Sequence, residues 1–151
     1  MSRNTTPIPE PDRALFMRYR RLNKDIEQLR KVLPESGIIS ALERVDLNAL
    51  PLDQRRVAAC ALRDKADLET KEAKREALSI PAEQAAQRIP NANLRRIVRL
   101  YCLDGMGYRA TIQSCAGACC KRTVERWLAI LNGHAEGNAD AAAGQGGTER
   151  Q

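Results

Sequence analysis

Lys121, Arg122, Glu125 and Arg126 lie close together in the sequence, among Val124, Trp127, Leu128 and Leu131. At helical spacing the two sets take opposite faces, one cationic and one apolar. A helix of this kind has the chemistry to enter a DNA major groove, where Arg bridges guanine O6 and N7 and Glu accepts from cytosine N4. Lys121, Arg122, Glu125 and Arg126 are therefore the candidate base-reading residues, with Val124, Trp127 and Leu131 as core behind them. Arg95, Arg96, Arg99 and Arg109 precede them and are candidates for phosphate contact, which fixes position without reading sequence. From 94 to 131 the only acids are Asp104 and Glu125, so the cationic excess of a chain of net charge +6 gathers here.

Other chemistries find less support. Cys115, Cys119 and Cys120 form a cluster, with Cys102 before them and His134, the only histidine, after. Tetrahedral zinc is usually held by two short-spaced ligand pairs, and Cys-x3-Cys-Cys is a poor template, so no metal is expected. Cys102 reads as a small hydrophobe on an apolar helix face, and Cys120 occupies the place where Ser or Thr would cap a helix. No nucleophile and base can be paired around His134, and no Gly-rich loop follows a strand. No enzyme activity and no cofactor are expected.

The elements that must carry the cationic face are short helices. Leu94, Ile97, Val98, Tyr101 and Cys102 give one apolar stripe, which Asp104-Gly105 ends. A second helix is predicted from about Tyr108 to Ala116, a sharp turn at Gly117, and a third helix from Cys120 or Lys121 to Leu131. Two helices joined by a Gly-containing turn, the second basic in front, are the parts of a helix-turn-helix. Trp127 is expected to anchor the third helix to the first.

From Ile89-Pro90 onward the chain resembles region four of bacterial sigma factors and its phage-encoded relatives. The resemblance rests on Ile89-Pro90, on Leu100-Tyr101-Cys102-Leu103-Asp104-Gly105, and on Lys121-Arg122-Thr123-Val124-Glu125-Arg126-Trp127. It covers about a quarter of the chain, and departs at Ile112-Gln113-Ser114 and Gly117-Ala118-Cys119-Cys120, which lengthen the turn. The resemblance implies a phage or prophage transcription regulator that binds double-stranded DNA, with RNA polymerase as a further partner.

Before this unit the chain reads as a helical arm. Leu15, Tyr19, Leu22, Ile26, Leu29 and Leu33 recur at alternating spacings of four and three, a heptad seam. The seam fits an αα-hairpin within one chain or a homodimer through the N-terminal helix. Asp12 is the expected cap of that helix. A later helix from about Leu52 to Ser79 carries a thin stripe of Leu62, Ala66, Ala73, Ala77 and Ile80. Pro81 is expected to open a separate short helix, and Pro81 with Pro90 to mark a hinge.

The fold class is therefore all-α: a helical hairpin or coiled-coil arm followed by a C-terminal helix-turn-helix. The expected organisation is a disordered segment 1–11, an arm 12–80, a DNA-binding unit 81–132 and a disordered Gly/Ala-rich tail 133–151. No apolar run reaches the roughly 18 residues needed to span a bilayer, so no membrane contact and a cytoplasmic location are expected. Five cysteines in a reducing compartment make a disulfide framework improbable. Two other classes compete with a sequence-specific regulator: a small terminase subunit for DNA packaging, and a helical adaptor that binds protein and no DNA.

Overall fold

A chain dominated by Ala, Arg, Leu and Glu has few residues that favour strands. The computed structural model, which describes residues 8–133, is accordingly all-helical, with no strand among those residues. Its α-helices are α1 (Glu10–Val32), α2 (Ser36–Glu43), α3 (Leu52–Gln87), α4 (Ala92–Val98), α5 (Tyr108–Ser114) and α6 (Lys121–Leu131). A 3-10 turn spans Leu47–Ala49, and a π-helical turn, Arg99–Leu103, continues α4. No described helix is long and apolar enough to cross a membrane.

Two compact units result. Residues 8–20 group with 78–133, and Arg21–Ala77 form the other. The first turns of α1 thus belong with the C-terminal helices rather than with an arm. Residues 8–11, expected to be disordered, are ordered: Ile8 is buried, and α1 starts at Glu10. Asp12 is not the cap. It lies inside the first turn and pairs with Arg88 at 3.2 Å. Residues 1–7 and 134–151, with His134, lie outside the described residues.

In the unit Arg21–Ala77, α1 and α3 run side by side in opposite directions. Asn23 Oδ1 accepts from Arg75 at 2.8 Å, Asp25 pairs with Lys71 at 3.6 Å, and Arg30 with Glu72 at 2.6 Å. Leu22 and Ile26 are buried, and Leu29 and Leu33 half-buried, so this part of the seam packs within one chain. The stripe expected on α3 is corrected. Ala66, Ala73, Ala77 and Ile80 are exposed, while Ala58 and Ala61 are buried and Leu62 and Leu68 half-buried. The inner face of α3 is built in part from the half-buried Lys65, Lys71, Glu72 and Arg75. Their stems cover apolar surface while their heads find partners, which apolar periodicity alone does not reveal.

The helix break expected at Pro81 is also absent, because α3 runs through Pro81 to Gln87. Proline leaves the carbonyl four residues back without a donor. Here that residue is the exposed Ala77, where water can serve, while Ala82, Ala85 and Ala86 beyond it are fully buried and hold the next turns. The break falls instead at Arg88–Asn91, where Pro90 stands and Asn91 caps α4.

The unit comprising 8–20 and 78–133 holds the larger core. Ile8, Phe16, Ala85, Ala86, Ile89, Leu94, Ile97 and Val98 are buried there with Tyr101, Cys102, Cys115, Val124, Leu128 and Leu131. Phe16 is fully buried, while Leu15 and Tyr19 of the proposed seam are half-buried. Each half of α1 buries its own set of residues, so one heptad frame does not run its whole length.

Candidate nucleic-acid interface

Asn91 starts α4 by accepting from the backbone N–H of Asn93 at 2.9 Å and of Leu94 at 3.0 Å. Leu94, Ile97 and Val98 then enter the core. The helix widens at Arg99–Leu103, where the N–H of Asp104 donates to Arg99 O at 2.8 Å, five residues back. Gly105, at φ +75°, turns the chain, and Gly107 leads into α5.

A residue from far upstream holds this corner. Arg20 is buried, and its Nη1 donates to the carbonyl oxygens of Tyr101 and of Met106, the latter at 2.9 Å. Its guanidinium carbon lies 3.6 Å from the Tyr101 ring centroid. Read by spacing alone, Arg20 sits one position after Tyr19 of the proposed seam and passes for a surface residue. Its role is visible only once the corner is folded.

Helix α5 presents Tyr108 and Arg109 outward and buries Thr111, whose hydroxyl donates to Gly107 O at 2.8 Å. The link from α5 to α6, 115–120, has Cys115 buried at its start and Gly117 at φ +91°. Six residues long, it exceeds the three or four common between paired helices of a helix-turn-helix.

Helix α6 packs on α4 and α5. Val124, Leu128, Ile130 and Leu131 are buried, and Trp127 is only half-buried. The expected anchor is therefore corrected: Leu128 and Leu131 are fully buried, and Trp127 packs at the edge of the cluster. Lys121, Arg122 and Arg126 are exposed, and Glu125 is half-buried. The helix ends at Asn132, whose side-chain amide donates to Leu128 O at 2.8 Å and Tyr101 Oη at 3.2 Å, followed by Gly133 at φ +97°. Arg13 Nη1 donates to Leu131 O at 3.0 Å, placing a cation at the carbonyl end of the helix, where the dipole favours it.

The arginines expected to touch phosphate divide. Arg99 is paired with Glu83 at 2.6 Å, which holds the Glu83 carboxyl below its ordinary value through the hydrogen bond and charge of the guanidinium. Arg95 donates to Ile89 O at 3.1 Å and Pro90 O at 3.4 Å, and Arg96 to Ser114 O at 3.2 Å, at the end of α5. Arg109 is exposed on α5. Arg95, Arg96 and Arg99 thus bond within the unit, and the side chains of Arg109, Lys121, Arg122 and Arg126 are exposed.

The cysteines do not converge on a metal: among the described residues no three His, Cys, Asp or Glu side chains are grouped to hold one. Burial raises the Cys102 thiol to about 12, so it stays neutral in the core. Cys119 is raised by desolvation, and further by the neighbouring Cys115 and Cys120. Cys120 stands at the N-cap position just before α6, and its Sγ lies 3.1 Å from Thr123 Oγ1. Hydrogen bonding to Thr123 lowers that thiol, and the charge of Arg122 adds to the effect.

In comparisons with known proteins, no family model, no curated protein and no solved structure matched the chain.

Proposed function

We propose that the C-terminal helices are a DNA-binding head in which α6 is the recognition helix of a sequence-specific transcription regulator. The observation that carries this reading is the two-sidedness of α6. Val124, Leu128 and Leu131 are buried, while Lys121, Arg122 and Arg126 are exposed along the other side. Arg122 and Arg126 are one helical turn apart, so both can enter one groove. The resemblance to sigma region four extends the proposal to promoter DNA, with RNA polymerase as partner and a phage or prophage source. The 115–120 link is longer than in a common helix-turn-helix, so the groove contact belongs to α6 and its exposed cations.

Affinity measured against a specific and a scrambled duplex at two salt concentrations tests the proposal. Arg122→Ala is expected to lose roughly 1–3 kcal/mol on the specific duplex only, as for a bidentate guanine contact. Arg109→Ala should weaken both duplexes and flatten the salt slope by about one unit, while Arg99→Ala should leave that slope unchanged. Equal binding after Lys121, Arg122 and Arg126 are all replaced by Ala would reject α6 as a recognition helix and leave the adaptor reading in its place.

A further inference from the structure

From Arg13 to Lys24, α1 carries cations and no acid: Arg13, Arg18, Arg20, Arg21 and Lys24. The chain itself employs two of them. Arg13 pairs with Glu10 at 2.6 Å and donates to Leu131 O, and Arg20 is buried against Tyr101 and Met106. Arg18, Arg21 and Lys24 are exposed, and no ion pair joins them to an acid among the described residues. They recur at every third position, so each step advances about 4.5 Å and all three stay within about a third of the helix circumference. The acids of α1 are occupied elsewhere. Glu10 pairs with Arg13, Asp12 with Arg88 at 3.2 Å, and Glu27 with Lys31 at 3.9 Å. Asp25, which shares the side of Arg18 and Arg21, pairs with Lys71 at 3.6 Å.

The surroundings of this cationic stripe narrow its partner. An amphipathic helix binds an anionic membrane by burying its apolar face in lipid. Phe16, Leu22 and Ile26, the large apolar residues here, are buried in the chain instead. A protein partner is held chiefly by buried aromatic or apolar anchors. Between 13 and 28 the only exposed apolar residue is Ala14. A phosphate polymer needs charge alone, and Arg, which supplies two of the three cations, grips phosphate through a planar fork of donors. Over the roughly 9 Å from Arg18 to Lys24, duplex DNA carries about five phosphate charges.

We propose that the Arg18, Arg21 and Lys24 side of α1 is a second DNA contact, one that binds the phosphate backbone without reading sequence. The choice of DNA among phosphate polymers rests on the reading of α6, while the residues that make this contact are not those of α6. Its effect is on affinity for any duplex and on the salt dependence of binding.

Affinity of the full chain for a specific and a scrambled duplex, measured over a range of salt concentrations, is the test. Replacing Arg18, Arg21 and Lys24 together by Gln should weaken both duplexes by the same factor. The slope of log affinity against log salt should flatten by about 2–3 units, and by about one for Arg18→Gln alone. Circular dichroism and melting temperature should not change, since the three side chains are exposed. Arg56→Gln with Lys74→Gln, exposed cations of α3, controls for net charge and should leave the slope in place. A slope unmoved by the triple replacement overturns the proposal, as does one flattened equally per charge by the α3 pair. Tighter binding of duplex RNA than of DNA overturns the choice of partner. Replacing Lys121, Arg122 and Arg126 by Ala separates this proposal from the α6 reading. If only that change weakens binding, the α1 contact falls; if only the α1 change does, the recognition helix falls and the α1 contact stands.

Discussion

Arg20 makes the most demanding test of the tertiary structure, because it joins α1 to the corner from which α5 departs. Replacing it by Met keeps the length of the stem and removes the guanidinium. The carbonyls of Tyr101 and Met106 then lose their donor, and the Tyr101 ring its cation. A hydrogen bond involving a charged group contributes about 1.5–3 kcal/mol, and a desolvated cation–π contact up to about 2. These do not add in full, since one group makes all the contacts and its own desolvation opposes them, so the expected loss is about 3 kcal/mol. Arg20→Lys should recover only part, because an ammonium cannot stack on Tyr101 and reach both oxygens. Urea unfolding followed by Trp127 fluorescence is the assay, since Trp127 is the only tryptophan and packs against the same cluster. For a chain of this size, thermal unfolding should shift down by roughly 6–12 °C. A loss below about 1 kcal/mol for Arg20→Met, or full recovery by Lys, would refute the account of the corner.

Further predictions rest on burial, thiol chemistry and backbone. Ile26→Asp places an unpaired charge in the α1–α3 hairpin, so helicity and melting temperature should both fall; a stable variant would show that the hairpin does not depend on this seam. Iodoacetamide should modify Cys120 before Cys119 in the native protein and reach Cys102 only on unfolding, as peptide mass mapping would record. Because the folded Cys102 thiol titrates near 12 against an ordinary 9.0, its contribution is intact below pH about 9 and is lost as pH rises toward 12; Cys102→Ala should remove that part of the alkaline destabilisation. Gly117→Ala meets no atom within 4 Å but must adopt φ +91°, so it should cost about 1 kcal/mol in chemical denaturation. Gly37→Ala, inside α2 and equally unobstructed, should instead be neutral or stabilising.

What the sequence determined by itself was set by local rules. The all-helical class followed from helix-forming residues, and the ends of the later helices from Gly105, Gly117 and Asn132-Gly133, because only a glycine takes the left-handed turn without strain. The two faces of α6 were likewise legible, since Val124, Leu128 and Leu131 and the cations between them repeat at the helical period. Tertiary structure decided the rest. Pro81 stays inside α3, where buried alanines outweigh the missing donor, and the inner face of α3 is partly charged. Arg95, Arg96 and Arg99 look no different in sequence from Arg109, yet they are bound to carbonyls and a carboxylate of their own chain. Periodicity records which residues share a side of a helix; what that side meets is fixed by partners distant in the chain, as Arg20 meets Tyr101 and Met106.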